Sequence, residues 1–278
     1  MDNLNCAGTI IDLTTPKVMG ILNVTPDSFS DGGQYRKFDA AIAQAEKMIQ
    51  QGASFIDIGG DSTRPGAEAV SLDEESRRVI PVIEALRKRD IPAVISIDTS
   101  KPELMQRAVA AGAGLINDVC ALTEPGAVEA VSQLQVPVCL MHMQGQPRTM
   151  QKDPHYNDVV RDVYNYLSAR VDTCVQGGIT KEQILIDPGF GFGKSVEHNL
   201  SLLKHLSAFA QMGLPLLVGL SRKSMMASIL DKDVNSRLAG SIAAACFALA
   251  GGAAIIRAHD VDETMDAIKM YTAMSSAD

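Results

Sequence analysis

Eight short apolar runs, separated by longer segments of helical period, limit what this sequence can fold into. The runs are VMGILNV, FIDIGG, AVISIDT, GLINDV, PVCLMHM, ILIDPGF, PLLVGLS and AIIRAHD. Each is apolar almost throughout, the pattern of a strand buried on both faces, and such strands belong to parallel sheets covered by helices. Segments between them, such as 39–52 (DAAIAQAEKMIQQG) and 101–112 (KPELMQRAVAAG), repeat apolar residues at helical spacing. Several close on a glycine just before the next run: Gly52, Gly112, Gly178, Gly213 and Gly252. A left-handed helix C-cap is expected at each. Eight βα units in 278 residues predict an α/β fold of one domain, a (β/α)8 TIM barrel. A doubly wound open sheet is the alternative. Residues 1–17, with TIIDL, predict a strand or hairpin ahead of a barrel spanning 18–278.

Composition narrows the function classes. With 46% hydrophobic residues the chain can bury a large core. A formal net charge of −8 argues against non-specific binding to nucleic acid or to an anionic membrane, and leaves room for a local cationic pocket. No unbroken apolar window of about 18 residues is present, so no membrane span is expected. The first ten residues lack the basic and apolar regions of a signal peptide. The five cysteines form no CxxC pair, which fits free thiols in a reducing cytosol. Cys139, inside an apolar run, reads as a small buried hydrophobe. There is no HExxH and no Cys/His cluster, so no all-protein metal centre is expected.

Each run ends in something polar: Asn23, Asp57, Asp98, Asn117, His142, Asp187, the trio Ser221-Arg222-Lys223, and Arg257 with His259. Barrel active sites lie at the C-terminal ends of the strands, so this ring predicts a polar pocket there. Asp98 and Asp187 end buried strands, where a carboxylate is costly unless paired. With Asn117, which both donates and accepts, they suit a flat heterocycle bearing N–H donors and a carbonyl, such as a pterin or purine. Lys223, Arg222, Arg257, His259 and Arg64 place positive charge at three strand ends, the setting of an anion site, with phosphate the usual guest. DPGFGFGKS (187–195) resembles a phosphate loop, but Pro188 replaces the leading glycine and Lys194 breaks G-x-G-x-x-G. It reads instead as a Gly-rich loop that lets backbone approach a flat ligand, with Phe190 and Phe192 as a wall, or as a mobile loop with incidental phenylalanines. His142, between two methionines, reads as a packed wall residue. NVTPDSFSDGG (23–33) is longer than a turn requires and carries Phe29 in its middle.

Taken in order, MGILNVTPDSFSDGG, GGDSTRPGA, ISIDTSKP, IND, VCLMHMQG, DPGFGFGK, GLSRKS and IIRAHDV resemble the motifs of the dihydropteroate synthase family, from about residue 5 to about residue 270. The resemblance implies a (β/α)8 barrel that joins 6-hydroxymethyl-7,8-dihydropterin diphosphate to 4-aminobenzoate in folate synthesis. The products are 7,8-dihydropteroate and diphosphate, and sulfonamides compete with the aminobenzoate. It also implies Mg2+, a cytoplasmic location, and a homodimer formed through helices away from the rim. Carried over by position, Asp98, Asn117, Met141, Asp187 and Lys223 hold the pterin. Asn23, Thr63, Arg64, Arg257 and His259 hold the diphosphate, with Mg2+ on Asn23. Phe29, Thr63, Pro65, Phe192, Lys223 and Ser224 form the aminobenzoate wall. Asp98, Lys223, Arg257 and His259 carry the catalysis. TPDSFSDGG and DSTRPGAEAV (61–70) correspond to two mobile loops that close the site, with Gly32 and Gly33 as hinges. Asp61 stands where the family often has Glu, and no insertion interrupts Thr25–Ser30, so a sulfonamide-sensitive enzyme is expected.

The chemistry so implied places diphosphate loss before amine attack. The aniline nitrogen is already neutral at pH 7, so no strong general base is required, and none stands out. A pterin-binding methyltransferase using methyltetrahydrofolate is the alternative enzyme. It would share the Asp/Asn pocket but have no use for the diphosphate cations or the two loops. A non-catalytic pterin-binding protein would be expected to have lost those loop and anion residues.

Overall fold

The computed structural model describes residues 2–25, 34–61, 70–145 and 149–277, with backbone alone at 34–37. Phe29, Gly32, Gly33, Thr63, Arg64 and Pro65 lie outside the described residues. The chain begins with an antiparallel hairpin of β1 (Asn3–Cys6) and β2 (Thr9–Asp12). Its turn residues Ala7 and Gly8 both have positive φ (51° and 91°), the twist that a two-residue hairpin turn needs. Then follow β3 (Lys17–Asn23), α1 (Gln34–Gln50), β4 (Phe55–Gly59), α2 (Leu72–Lys88), β5 (Val94–Asp98), α3 (Pro102–Ala111), β6 (Leu115–Asp118), α4 (Ala127–Leu134) and β7 (Val138–Met141). The second part runs α5 (Val159–Gln176), β8 (Ile184–Asp187), α6 (Val196–Lys204), α7 (Ser207–Ala210), β9 (Leu217–Val218), α8 (Ser224–Leu230), α9 (Leu238–Ala250), β10 (Ile255–Ala258) and α10 (Val261–Ser275).

Strands β3 to β10 form one parallel sheet in the order β8-β7-β6-β5-β4-β3-β10-β9. A parallel bridge between Ile186 and Leu216 brings β8 to the segment entering β9 and closes the ring. The fold is therefore the TIM barrel, not an open doubly wound sheet, because the first strand of the sheet pairs with its last. All eight apolar runs contribute a strand. The five glycines expected as left-handed caps have φ of 101°, 118°, 95°, 71° and 94° in chain order. At each, a residue with Cβ would be strained.

Side-chain alternation divides the barrel interior into layers. Each strand turns one apolar residue inward near its start, from Met19 and Phe55 round to Ile255, and these pack on Leu4, Cys6 and Leu13 of the hairpin segment. The hairpin thus plugs the N-terminal end. Cys139 belongs to this layer and its thiol is pushed well up by burial. Two residues further along, the same pleat turns Asp57, Asn117, Asp187 and Arg257 inward. The helices cover the outer strand faces and complete the core. The result is an apolar floor with a polar layer directly above it, opening at the C-terminal ends of the strands.

Candidate active site

Asp57, in the polar layer, is fully buried. It accepts hydrogen bonds from Ser96 Oγ (2.6 Å), Asn117 Nδ2 (3.0 Å) and Arg257 Nε (2.7 Å). Arg257 spans two carboxylates, since its other guanidinium nitrogen donates to Asp98 Oδ2 at 2.8 Å. Carboxylates on both sides hold the guanidinium pKa above its usual range. Burial pushes the Asp98 carboxyl up, against the pull of Arg257. Because Asn117 gives its amide N–H to Asp57, its Oδ1 is left to accept from a ligand. Sequence reasoning noted Asp57 only as a strand end and gave it no role. The signal was available: an acid two residues beyond the inward Phe55, in the middle of an otherwise apolar strand.

Asp187 ends β8. Its Oδ1 accepts from Gly189 N at 2.7 Å, while burial pushes its pKa up to about 6. The loop that follows is wound by Gly189, Gly191 and Gly193, with φ of 70°, 82° and 63°. A Cβ on Gly189 would lie 1.9 Å from the His142 carbonyl oxygen, so this loop presses directly onto the loop after β7. The two phenylalanines do not form one wall. Phe190 is 1% exposed and belongs to the helix-side core, which corrects the expectation for it. Phe192 stays at the site, with Lys223 Nζ 4.2 Å from its ring centroid. Burial lowers the Lys223 pKa to about 8, with Asp187 and Asp98 opposing. Lys223 is the N-cap of α8 and makes no side-chain cap bond, so Ser224 opens that helix without one.

At the rim, His259 Nδ1 lies 3.0 Å from Ser221 Oγ, and the His259 backbone N–H donates to the same oxygen at 3.2 Å. Burial and the charges of Arg257 and Arg222 push His259 down to about 4. In the free protein the ring is therefore uncharged at pH 7. Arg222 is also withdrawn from the anion set, because its guanidinium is paired through two nitrogens with Asp260. His142 is a packed wall residue, 4.9 Å centroid to centroid from Tyr166, and burial with Lys194 beside it lowers its pKa to about 3. Met141 is buried against the Gly-rich loop. Asn23 stands near Asp98: a Cβ on Gly59 would lie 3.7 Å from both Asn23 Oδ1 and Asp98 Oδ2, and the glycine leaves that space open. At the foot of segment 62–69, Lys101 Nζ bridges Glu75 and Asp61. No group of three or more His, Cys, Asp or Glu that could hold a metal ion occurs among the described residues.

Asp98, Asn117, Asp187, Lys223 and Arg257 thus come together, with Phe192 beside Lys223 and His259 at the edge. The arrangement offers carboxylate and amide acceptors to a flat N–H-bearing ring, with the cations Arg257 and Lys223 beside them. The family described as "Pterin binding enzyme" matches residues 19–259. The dihydropteroate synthase of Haemophilus influenzae is 53% identical over 267 residues, 96% of this chain and 97% of that protein. The solved structure of Xanthomonas albilineans dihydropteroate synthase with 4-aminobenzoic acid matches at a TM-score of 0.95 and 49% identity, covering 100% of this chain and 99% of that one. A Yersinia pestis dihydropteroate synthase with a sulfonamide drug matches at 0.94 and 50% identity, covering 99% and 100%. Matched along its length in sequence and in fold, this chain belongs to the dihydropteroate synthase family of pterin-binding enzymes.

Proposed function

We propose that the chain joins 6-hydroxymethyl-7,8-dihydropterin diphosphate to 4-aminobenzoate, releasing 7,8-dihydropteroate and diphosphate. The observation that carries this reading is the convergence of Asp98, Asn117, Asp187 and Lys223 around the Asp57–Arg257 pair at the open end of the barrel. Asp98 and Asp187 accept from the pterin ring, and Asn117 Oδ1 adds a third acceptor. Their negative charge favours the cationic pterin methylene that forms as diphosphate departs. His259 meets the diphosphate as an N–H donor. Arg257 has unspent N–H donors beyond its two carboxylate bonds. Asn23, Thr63 and Arg64 complete the anion site, and Arg64 brings its full charge. Phe29, Pro65, Phe192, Lys223 and Ser224 hold the aminobenzoate with its amine toward the methylene. No residue need remove a proton before attack.

The donor set fits Mg2+. This ion commonly takes one or two protein oxygens and completes its shell with substrate phosphates and water. Asn23 Oδ1, beside the space left by Gly59, is such an oxygen. When bound, Mg2+ neutralises charge on the leaving diphosphate. The protein further acts as a homodimer in the cytoplasm. Helices α9 and α10 pack together yet leave Phe247, Met270 and Met274 at 66%, 72% and 65% exposure, apolar surface suited to a second copy away from the rim. No helix among the described residues is long and apolar enough to cross a membrane.

Turnover tests this reading. The purified chain with the pterin diphosphate and labelled 4-aminobenzoate is expected to yield dihydropteroate and diphosphate one to one. Omitting either substrate or chelating Mg2+ should abolish both, and a sulfonamide should compete with aminobenzoate alone. Methyl transfer from methyltetrahydrofolate, with no condensation, would replace the reading by the methyltransferase.

A further inference from the structure

Lys194 has no part in the chemistry just described, yet it is 3% exposed and forms no ion pair with a carboxylate among the described residues. Its Nζ is surrounded by neutral acceptors: His142 Nδ1 at 2.9 Å, Gly189 O at 2.8 Å, Phe192 O at 2.9 Å and, more weakly, His142 O at 3.4 Å. Burial lowers the Lys194 pKa to about 7, with the charge of Asp187 opposing, and the three short bonds match the three donors of an ammonium. Two of those bonds go to the Gly-rich loop and one to the loop after β7. The loop is fixed elsewhere too: Gly191 N donates to Asn199 Oδ1 at 2.7 Å, and Tyr156 Oη donates to Gly193 O at 2.8 Å. The Phe192 N–H donates to Gly189 O at 3.2 Å, and Lys194 holds the Phe192 carbonyl, while the ring faces Lys223 Nζ at 4.2 Å.

We infer that Lys194 is a positioning residue for the aminobenzoate wall: its ammonium fixes the Phe192 carbonyl and thereby holds the Phe192 ring against Lys223. The proposal rests on the reading of Phe192 and Lys223 as that wall. It requires Lys194 to act through Phe192, so the two side chains must be coupled, whereas a lysine that only stabilises the fold would act independently of Phe192.

A double-mutant cycle reads this coupling. In the parent background, Lys194→Met is expected to raise the KM for aminobenzoate about tenfold with kcat within about threefold, and in a Phe192→Ala background to change KM by less than about twofold. Tyr156→Phe, which removes a different anchor of the same loop, should leave that KM unchanged. If Lys194→Met does not fold, Lys194→Gln, which keeps an N–H donor, takes its place. An equal KM effect in both backgrounds would overturn the proposal. Fluorophenylalanine labelling separates it from the functional reading. The 19F resonance lost in Phe192→Leu should shift in Lys194→Met even in a protein that shows no turnover. An unmoved resonance would also overturn it.

Discussion

Asp98 works in two directions. It accepts from Arg257 at 2.8 Å and, on the proposed reading, from the pterin. Asp98→Asn keeps the shape, removes the charge and turns an N–H toward one donor. A charge-assisted bond of this kind contributes about 1.5–3 kcal/mol, so pterin affinity should fall about 10- to 150-fold. Isothermal titration with a plain pterin checks this, and affinity within twofold of the parent would remove Asp98 from the pterin site. Asp187 gives a pH signature. Its carboxyl is raised from 3.8 to about 6 in the folded protein, chiefly by burial. The sign follows from linkage: this group's contribution to the stability of the free protein is full below about pH 4 and is lost as pH rises through about 6. A ring with N–H donors prefers the ionised carboxylate, so pterin affinity should move the other way, rising between pH 5 and 8. Asp187→Asn should reduce that rise to the part contributed by Asp98, which burial raises to about 7. An identical slope in the variant would assign the titration elsewhere.

The Gly-rich loop, the element that joins β8 to α6, shows how backbone shape sets a site. Gly8 and Gly189 both have positive φ, 91° and 70°, but a Cβ on Gly8 meets nothing within 4 Å whereas one on Gly189 meets the His142 carbonyl oxygen at 1.9 Å. Gly8→Ala should therefore cost only the left-handed strain, about 1–2 kcal/mol. Gly189→Ala should cost more in thermal unfolding, because neither backbone can give way cheaply. It should also weaken pterin binding, since the displaced Gly189 N–H leaves Asp187. Equal shifts in the two variants would mean that the loop is free to move off the loop after β7.

At the scale of the molecule, the barrel brings strand ends far apart in the chain to one rim, and on the proposed reading the diphosphate and the aminobenzoate sit side by side there. Aminobenzoate alone is small, and on that reading bound Mg2+-diphosphate completes one side of its slot. Aminobenzoate should then bind at least about tenfold tighter with Mg2+-diphosphate present, a coupling of about 1.4 kcal/mol or more, and linkage requires the reverse effect to be equal. Calorimetric titrations with and without Mg2+-diphosphate decide the matter. Equal affinities would mean that the two ligand sites do not communicate.

The sequence by itself determined the strands, their order, the left-handed helix caps and the ring of polar strand ends. These follow from the local period of apolar residues and from glycine, which each segment carries regardless of its neighbours. Only the closed barrel decided how the polar groups are paired. Arg257 meets Asp57 and Asp98 across 200 and 159 residues of chain, and no local pattern encodes that contact. Closure likewise turned Phe190 into the core and left Phe192 at the site, gave Arg222 to Asp260, and buried Lys194 among carbonyls. It left the His259 ring uncharged in the free protein, because protonation depends on burial and on nearby charge, and neither exists until the strands meet.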